Sequence, residues 1–375
     1  MSITIREINE RNHHQSYEIS RKFDLFIKGD LFAFFARHLS NEMNILDAIL
    51  LQFSMIKKVK SSLSLFGMKK WILAARLRTL PLSLSGLLLA GFIAKSEGIF
   101  RNDIFFLSLL TTLAFQVLSN FANDYGDAVK GTDANREGEQ RAVASGLITP
   151  KQMKRAIGLM VVISFVCVIA LLYVSFIPDF MNYVYIFLGL GLASILAAMA
   201  YTMGKKPYGY VGLGDVFVFI FFGILAVVGG EFLYSKTFQW EILLPAASMG
   251  CWSVAVLNLN NMRDVKNDVK NNKITIASKL GFEKSKYYQM TLMTLPFVLS
   301  ALYVTMIPEK SGKLSGLVFL ILIFFANTIR RQIFAVKNPK EYDPYLKHVS
   351  MLALFFAVLL GYSLIGFEFI DTLTR

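Results

Sequence analysis

The chain has 375 residues, 55% of them hydrophobic and only 17% charged. A soluble protein of this length carries more charge than that, and apolar runs of roughly 20 residues, the length a bilayer core requires, recur along it. A formal charge of +13 would suit a nucleic-acid binder if it formed a separate basic domain, but it is spread through the chain in a pattern that excludes one.

Residues 1–67 come first. They are polar and mixed, with an apolar patch at 31–35 and an amphipathic stretch near 45–56, and no run in them is long enough to span a bilayer. They lack the basic start, apolar core and small-residue cleavage site of a signal peptide. They are expected to form an N-terminal extension without chemistry. Met68-Lys69-Lys70-Trp71 reads as a short basic leader, so Met68 is a second candidate start. A peptide from residues 1–60 in the native protein would refute that start.

Residues 68–375 are expected to form one all-α polytopic membrane domain. Nine transmembrane helices are predicted, at 72–94, 104–122, 156–176, 183–203, 212–234, 240–259, 288–307, 314–333 and 349–369. A transmembrane barrel would show short alternating segments instead. The stretches that follow spans 2, 4, 6 and 8, with the basic ends of those spans, hold 20 Lys or Arg. Those after spans 1, 3, 5 and 7, with the C-terminal tail, hold 6. Basic residues stay on the cytoplasmic side. The N-terminus is therefore expected inside and the C-terminus outside. Cys167 and Cys251 fall within spans and read as small apolar residues. The four histidines lie outside the spans and show no zinc or haem pattern.

Two acidic clusters follow spans 2 and 6. The first is Asn120-Phe-Ala-Asn123-Asp124-Tyr-Gly-Asp127, with Asp133 beyond it; the second is Asn260-Asn261-Met-Arg263-Asp264-Val-Lys-Asn-Asp268, with Lys273 and Thr275 beyond it. Asp124 and Asp127 are spaced i, i+3, and Asp264 and Asp268 i, i+4. If the helices continue past the spans, each pair shares a helical face and its charges repel unless a cation intervenes. Mg²⁺ suits such a site, because it is held by one or two carboxylates plus substrate phosphates. A prenyl diphosphate fits best, because its tail belongs in lipid and its head does not.

These motifs resemble those of the UbiA superfamily of intramembrane aromatic prenyltransferases, and within it the naphthoate branch. The resemblance covers about residues 69–369. It rests on Ala75-Arg-Leu-Arg-Thr-Leu-Pro81, Asn123-Asp-Tyr-Gly-Asp-Ala-Val-Lys-Gly-Thr-Asp133, Arg141-Ala-Val-Ala-Ser-Gly146, Gly209-Tyr-Val-Gly-Leu-Gly-Asp215 and Asn260-Asn-Met-Arg-Asp264. It implies nine helices and Mg²⁺-dependent transfer of a polyprenyl group from polyprenyl diphosphate to 1,4-dihydroxy-2-naphthoate, with loss of carbon dioxide. It also implies that Asn120, Asn123, Asp124 and Asp127 hold one side of the Mg²⁺–diphosphate and that Asp264 and Asp268 hold the other, with Asn261 and Arg263 beside them. In many members an acid stands where this chain has Gly131; the later Asp133, which extends the first motif, is typical of the naphthoate branch. A Gly common in the second motif is replaced by Asn272, which bears on loop shape.

Basic and aromatic residues complete the expected site. Arg141 and Lys205 are candidates for the diphosphate, Arg78 for the diphosphate or the acceptor's carboxylate, and Asp215 for a direct contact. Lys205 and Arg78 compete with ordinary positive-inside charge and snorkelling. Tyr201 is the leading candidate to face an allylic cation, ahead of Phe121, Tyr125 and Trp252. Two alternatives stay open: the same chemistry on 4-hydroxybenzoate, homogentisate or haem, and a cation-binding transporter, which would place its carboxylates near the bilayer midplane.

Overall fold

The computed structural model describes residues 66–76, 79–132, 141–306 and 315–365. Helices make up its regular structure, in chain order α1 (Phe66–Ala75), α2 (Leu80–Ser96), α3 (Asn102–Val129), α4 (Pro150–Phe176), α5 (Met181–Ala200), α6 (Gly214–Ser235), α7 (Leu243–Lys270), the short α8 (Ile276–Leu280), α9 (Phe282–Met306), α10 (Leu322–Ala335) and α11 (Asp343–Ile365). A 3₁₀ turn, Ser315–Ile321, leads into α10.

Among the described residues eight helices are long and apolar enough to cross a membrane alone. The first predicted span, 72–94, is instead split between α1 and α2, which meet at 58°. Pro81 explains the break. Its ring clashes with a helical carbonyl four residues earlier, and it has no amide to offer that carbonyl. The same proline is welcome in the first turn of the new helix. Arg76 ends α1 at φ +50, in the left-handed region.

The second and sixth predicted spans continue as helix beyond their motif ends. α3 continues to Val129 and α7 to Lys270, so both aspartate clusters sit on helix. α4 begins with a reciprocal cap, in which Thr149 and Gln152 bond each other's backbone amides. The middle of α6, Phe219–Gly229, is wound as a π-helix. Here α6 crosses α7 at a point where only glycine fits: a Cβ on Gly223 would lie 2.6 Å from the Gly250 Cα.

α7 is the central element, packed against α6, α9 and α11, while α2 packs on α11 and α3 on α4 and α5. α4 and α5 lie at the periphery and turn Leu159, Val162, Val166, Tyr173, Tyr185 and Leu196 outward. An apolar surface of that extent on helices long enough to cross a membrane suits a lipid environment. At the motif end, Ala142, Val143 and Ile148 of the α3–α4 connection pack with Ala74, Leu118, Phe121 and Ile157.

Candidate active site

A cavity of about 380 Å³ runs between α2, α3, α4, α5, α6 and α7. Most of its wall is apolar, including Val168, Leu171 and Leu172 of α4, Phe187 and Leu190 of α5, and Phe217, Phe221 and Leu225 of α6. One face of α3 supplies Ser108, Thr111, Gln116, Ser119, Asn120, Asn123 and Asp127 along its length. That helical series puts an apolar chamber in continuity with the acidic motif. Arg76, Arg141, Tyr201, Tyr208, Asn260 and Lys273 close the motif end around Asp127.

Cross-ties fix this end. The Tyr210 hydroxyl donates to Asp127 Oδ1 at 2.8 Å and lies 2.7 Å from the Thr132 hydroxyl. Asn267 of α7 donates to the Thr132 carbonyl at 2.7 Å, joining the two motif helices. The Ile274 amide donates to the Tyr210 carbonyl at 3.0 Å, and Val211 and Ile274 form a bridge. Lys130 donates to the carbonyls of Thr202 and Gly204 at 2.6 and 3.1 Å. Gly126 lets the α5–α6 connection come this close: a Cβ there would lie 2.6 Å from the Thr202 hydroxyl. Thr202 in turn donates to the Ala122 carbonyl at 3.0 Å.

The second cluster forms an ion-pair knot. Arg263 holds both oxygens of Asp264, at 2.7 and 2.9 Å, and reaches Asn260 at 2.7 Å and Asp343 of α11 at 2.5 Å. Such bidentate, charge-assisted contacts fix both groups. Lys273 lies 3.3 Å from Asp268 Oδ1 and 5.6 Å from the Tyr210 ring centre, and it also lines the cavity.

The cavity therefore gathers five of the expected residues: Asn120, Asn123, Asp127, Arg141 and Tyr201. Asp124, Asn261, Arg263, Asp264 and Asp268 are buried nearby without forming its wall. Asp124 accepts from the backbone amides of Ala142 and Val143. Asp215 accepts from Tyr288 of α9 at 3.0 Å, away from the wall. Lys205 is exposed. Arg78 and Asp133 lie outside the described residues. Of the four aromatic candidates only Tyr201 faces the cavity; Phe121 meets Trp71 at a tilt, Tyr125 packs into the same cluster, and Trp252 is buried against Phe297 and Phe356.

Sequence reasoning underweighted three residues. Arg76 lines the cavity, and its buried Nη2 makes no hydrogen bond among the described residues. Tyr210 holds Asp127, and Tyr208 packs edge-on against Tyr201 and stacks on Phe217. Burial, with a smaller contribution from Tyr201, pushes the Tyr208 phenol up, so it stays a neutral hydroxyl. The Gly209–Asp215 motif pointed at this loop, but its acid drew attention from its tyrosines.

No three acidic, His or Cys side chains among the described residues converge as a ready-made metal site. The donor set nonetheless suits Mg²⁺, which rarely takes an all-protein cage and is bound through few carboxylates plus substrate phosphates. Asp127 with the amides of Asn123 and Asn260 offers the protein oxygens, and Arg141 and Lys273 offer charge to phosphate.

An apolar chamber inside a bundle of helices long and apolar enough to cross a membrane ends at Asp127 and three cations, an arrangement that suits a lipid with an anionic head. The chain belongs to the UbiA prenyltransferase family, whose model matches residues 84–351, and it is a transferase of that class. It is 36% identical over 302 residues to a 1,4-dihydroxy-2-naphthoate octaprenyltransferase of Haemophilus influenzae, covering 80% of this chain and 96% of that protein. A 1,4-dihydroxy-2-naphthoate octaprenyltransferase of Escherichia coli is 40% identical over 236 residues, 62% of this chain and 75% of that one. The fold is also that of a UbiA homolog from Archaeoglobus fulgidus bound to GPP and Mg²⁺, with a TM-score of 0.54 at 15% identity, covering 79% of this chain and 99% of the other.

Proposed function

We propose that this protein transfers a polyprenyl group from polyprenyl diphosphate to 1,4-dihydroxy-2-naphthoate, with decarboxylation to a demethylmenaquinol, in menaquinone biosynthesis. The observation that carries this is the cavity that joins an apolar wall to Asp127, Arg141 and Lys273. The two naphthoate relatives support the acceptor.

The polyprenyl tail lies along α4, α5 and α6, with its diphosphate at Asp127. Mg²⁺, when bound, would neutralise charge building on the leaving diphosphate; Asp127 would hold it with the amide oxygens of Asn123 and Asn260, and Asp264 and Asp268, buried behind the wall, would back it with the second motif's charge. Arg141 and Lys273 bind diphosphate oxygens. The allylic C–O bond breaks and its electron pair leaves with diphosphate. Tyr201 and Tyr208 present aromatic faces to the resulting cation, and the bundle excludes water from it. The naphthoate ring then bonds to the prenyl carbon, and loss of carbon dioxide restores the aromatic ring. Arg76 binds the acceptor's carboxylate until that step.

The same reading places the protein in a bacterial cytoplasmic membrane, with nine spans if α1 and α2 cross as one bent span, N-terminus inside and the site at the cytoplasmic face. Residues 1–67 are an extension to a catalytic domain of 68–375. Purified protein in nanodiscs, given Mg²⁺ and a polyprenyl diphosphate, should convert naphthoate to a product lacking the carboxyl group. Product from 4-hydroxybenzoate and none from naphthoate would overturn the acceptor and leave the prenyl transfer standing.

A further inference from the structure

Asp124 is the first acid of the more explicit motif, yet its side chain turns away from the cavity that Asp127 enters. It is 1% exposed. Its Oδ2 accepts from the Ala142 amide at 3.0 Å, and its Oδ1 accepts from the Val143 amide at 3.2 Å. Those amides open a compact turn, in which Ser145 N donates to the Arg141 carbonyl and Ile148 N to the Ala142 carbonyl, both at 3.0 Å. Ala142 and Ile148 are fully buried beneath it. Arg141 immediately precedes the two bonded amides, and its side chain lines the cavity.

A carboxylate that accepts from two successive amides fixes the orientation of both peptide planes. It thereby fixes the direction in which the preceding side chain leaves the backbone. We infer that Asp124 is a positioning residue: it clamps the Arg141 turn onto α3 and so holds the Arg141 guanidinium over the anionic head of the substrate. The two acids three residues apart then have separate tasks, Asp127 toward the metal and Asp124 toward the loop. The identity of Arg141's ligand rests on the proposed function; the clamp does not.

The test compares Asp124→Ala, Asp124→Asn and Asp127→Asn in the purified full chain. Without substrate, hydrogen–deuterium exchange is followed in peptides covering residues 141–149. Asp124→Ala should speed exchange there roughly tenfold or more, and Asp124→Asn, which keeps one acceptor oxygen, should fall between it and the parent. Asp127→Asn should leave that segment unchanged. In prenyl transfer, Asp124→Ala should raise the KM for prenyl diphosphate without raising the Mg²⁺ concentration for half-maximal rate, and adding Arg141→Ala to it should cost little more. Unchanged exchange in both Asp124 variants would overturn the clamp, as would a raised Mg²⁺ requirement matching that of Asp127→Asn. If Asp124→Ala does not fold, Asp124→Asn decides by the same two readouts. If the parent transfers no prenyl group, the proposed function fails and the exchange measurement still decides the clamp.

Discussion

Asp127 is the carboxylate that the cavity, the Tyr210 hydroxyl and the motif helix all converge on. Losing a group that stabilises charge in a transition state costs about 10²–10³ in rate. Asp127→Ala should show a loss of that size in turnover, measured by product formation at saturating substrates. Tyr210→Phe removes one hydrogen bond to a charged group, worth about 1.5–3 kcal/mol. It should lower turnover by roughly ten- to a hundredfold, with the protein still folded by circular dichroism. Arg76 offers a buried nitrogen without a hydrogen bond among the described residues. Arg76→Ala should raise the KM for the naphthoate more than that for the prenyl diphosphate; a larger rise for the prenyl diphosphate would assign it to the diphosphate instead. The placement of Asp127, Arg141 and Tyr201 at one cavity was legible because their chemistry is rare beside apolar spans. Tyr210 and Arg76 were not, since a loop tyrosine and a basic residue at a span end have ordinary explanations until contacts are seen. The same limit hid the division between Asp124 and Asp127: i, i+3 spacing places two side chains on neighbouring parts of a helix and says nothing of a loop that covers one of them.

At the scale of elements, hydropathy located the long helices well and their ends less well. α3 and α7 run past the apolar stretch because polar residues at a membrane surface keep their helical hydrogen bonds, so the motif acids ride on rigid helix. The split of the first span was readable in principle from Pro81, but prolines are tolerated inside membrane helices, as Pro296 within α9 shows. The π-wound part of α6 left no sequence signal beyond its glycines. Its crossing with α7 gives a direct prediction. Gly223→Val must push a side chain into the Gly250 backbone and the Ala246 carbonyl. Overpacking of this kind costs about 1–3 kcal/mol, to be seen as a lower Tm in detergent. An unchanged Tm would mean that the two helices do not touch there.

For the whole molecule, the architecture suits the proposed handling of a lipid tail and a charged head together. Peripheral α4 and α5 face lipid, central α7 and α11 are enclosed, and the cavity between them opens its polar end where the two motif helices are tied. The arrangement of basic residues predicts one sidedness. A cysteine at Lys205 should react with an impermeant maleimide only from the cytoplasmic side, and one at Phe238 only from the opposite side; the reverse pattern would invert the topology. The central claim is that Mg²⁺ and Asp127 together hold the departing diphosphate. It is tested most directly by following prenylated product from naphthoate and polyprenyl diphosphate in nanodiscs while Mg²⁺ is titrated, for the parent protein and Asp127→Ala. The account predicts product that rises with Mg²⁺, vanishes with EDTA and falls at least about a hundredfold in the variant. Undiminished product in EDTA, or from Asp127→Ala, would contradict it.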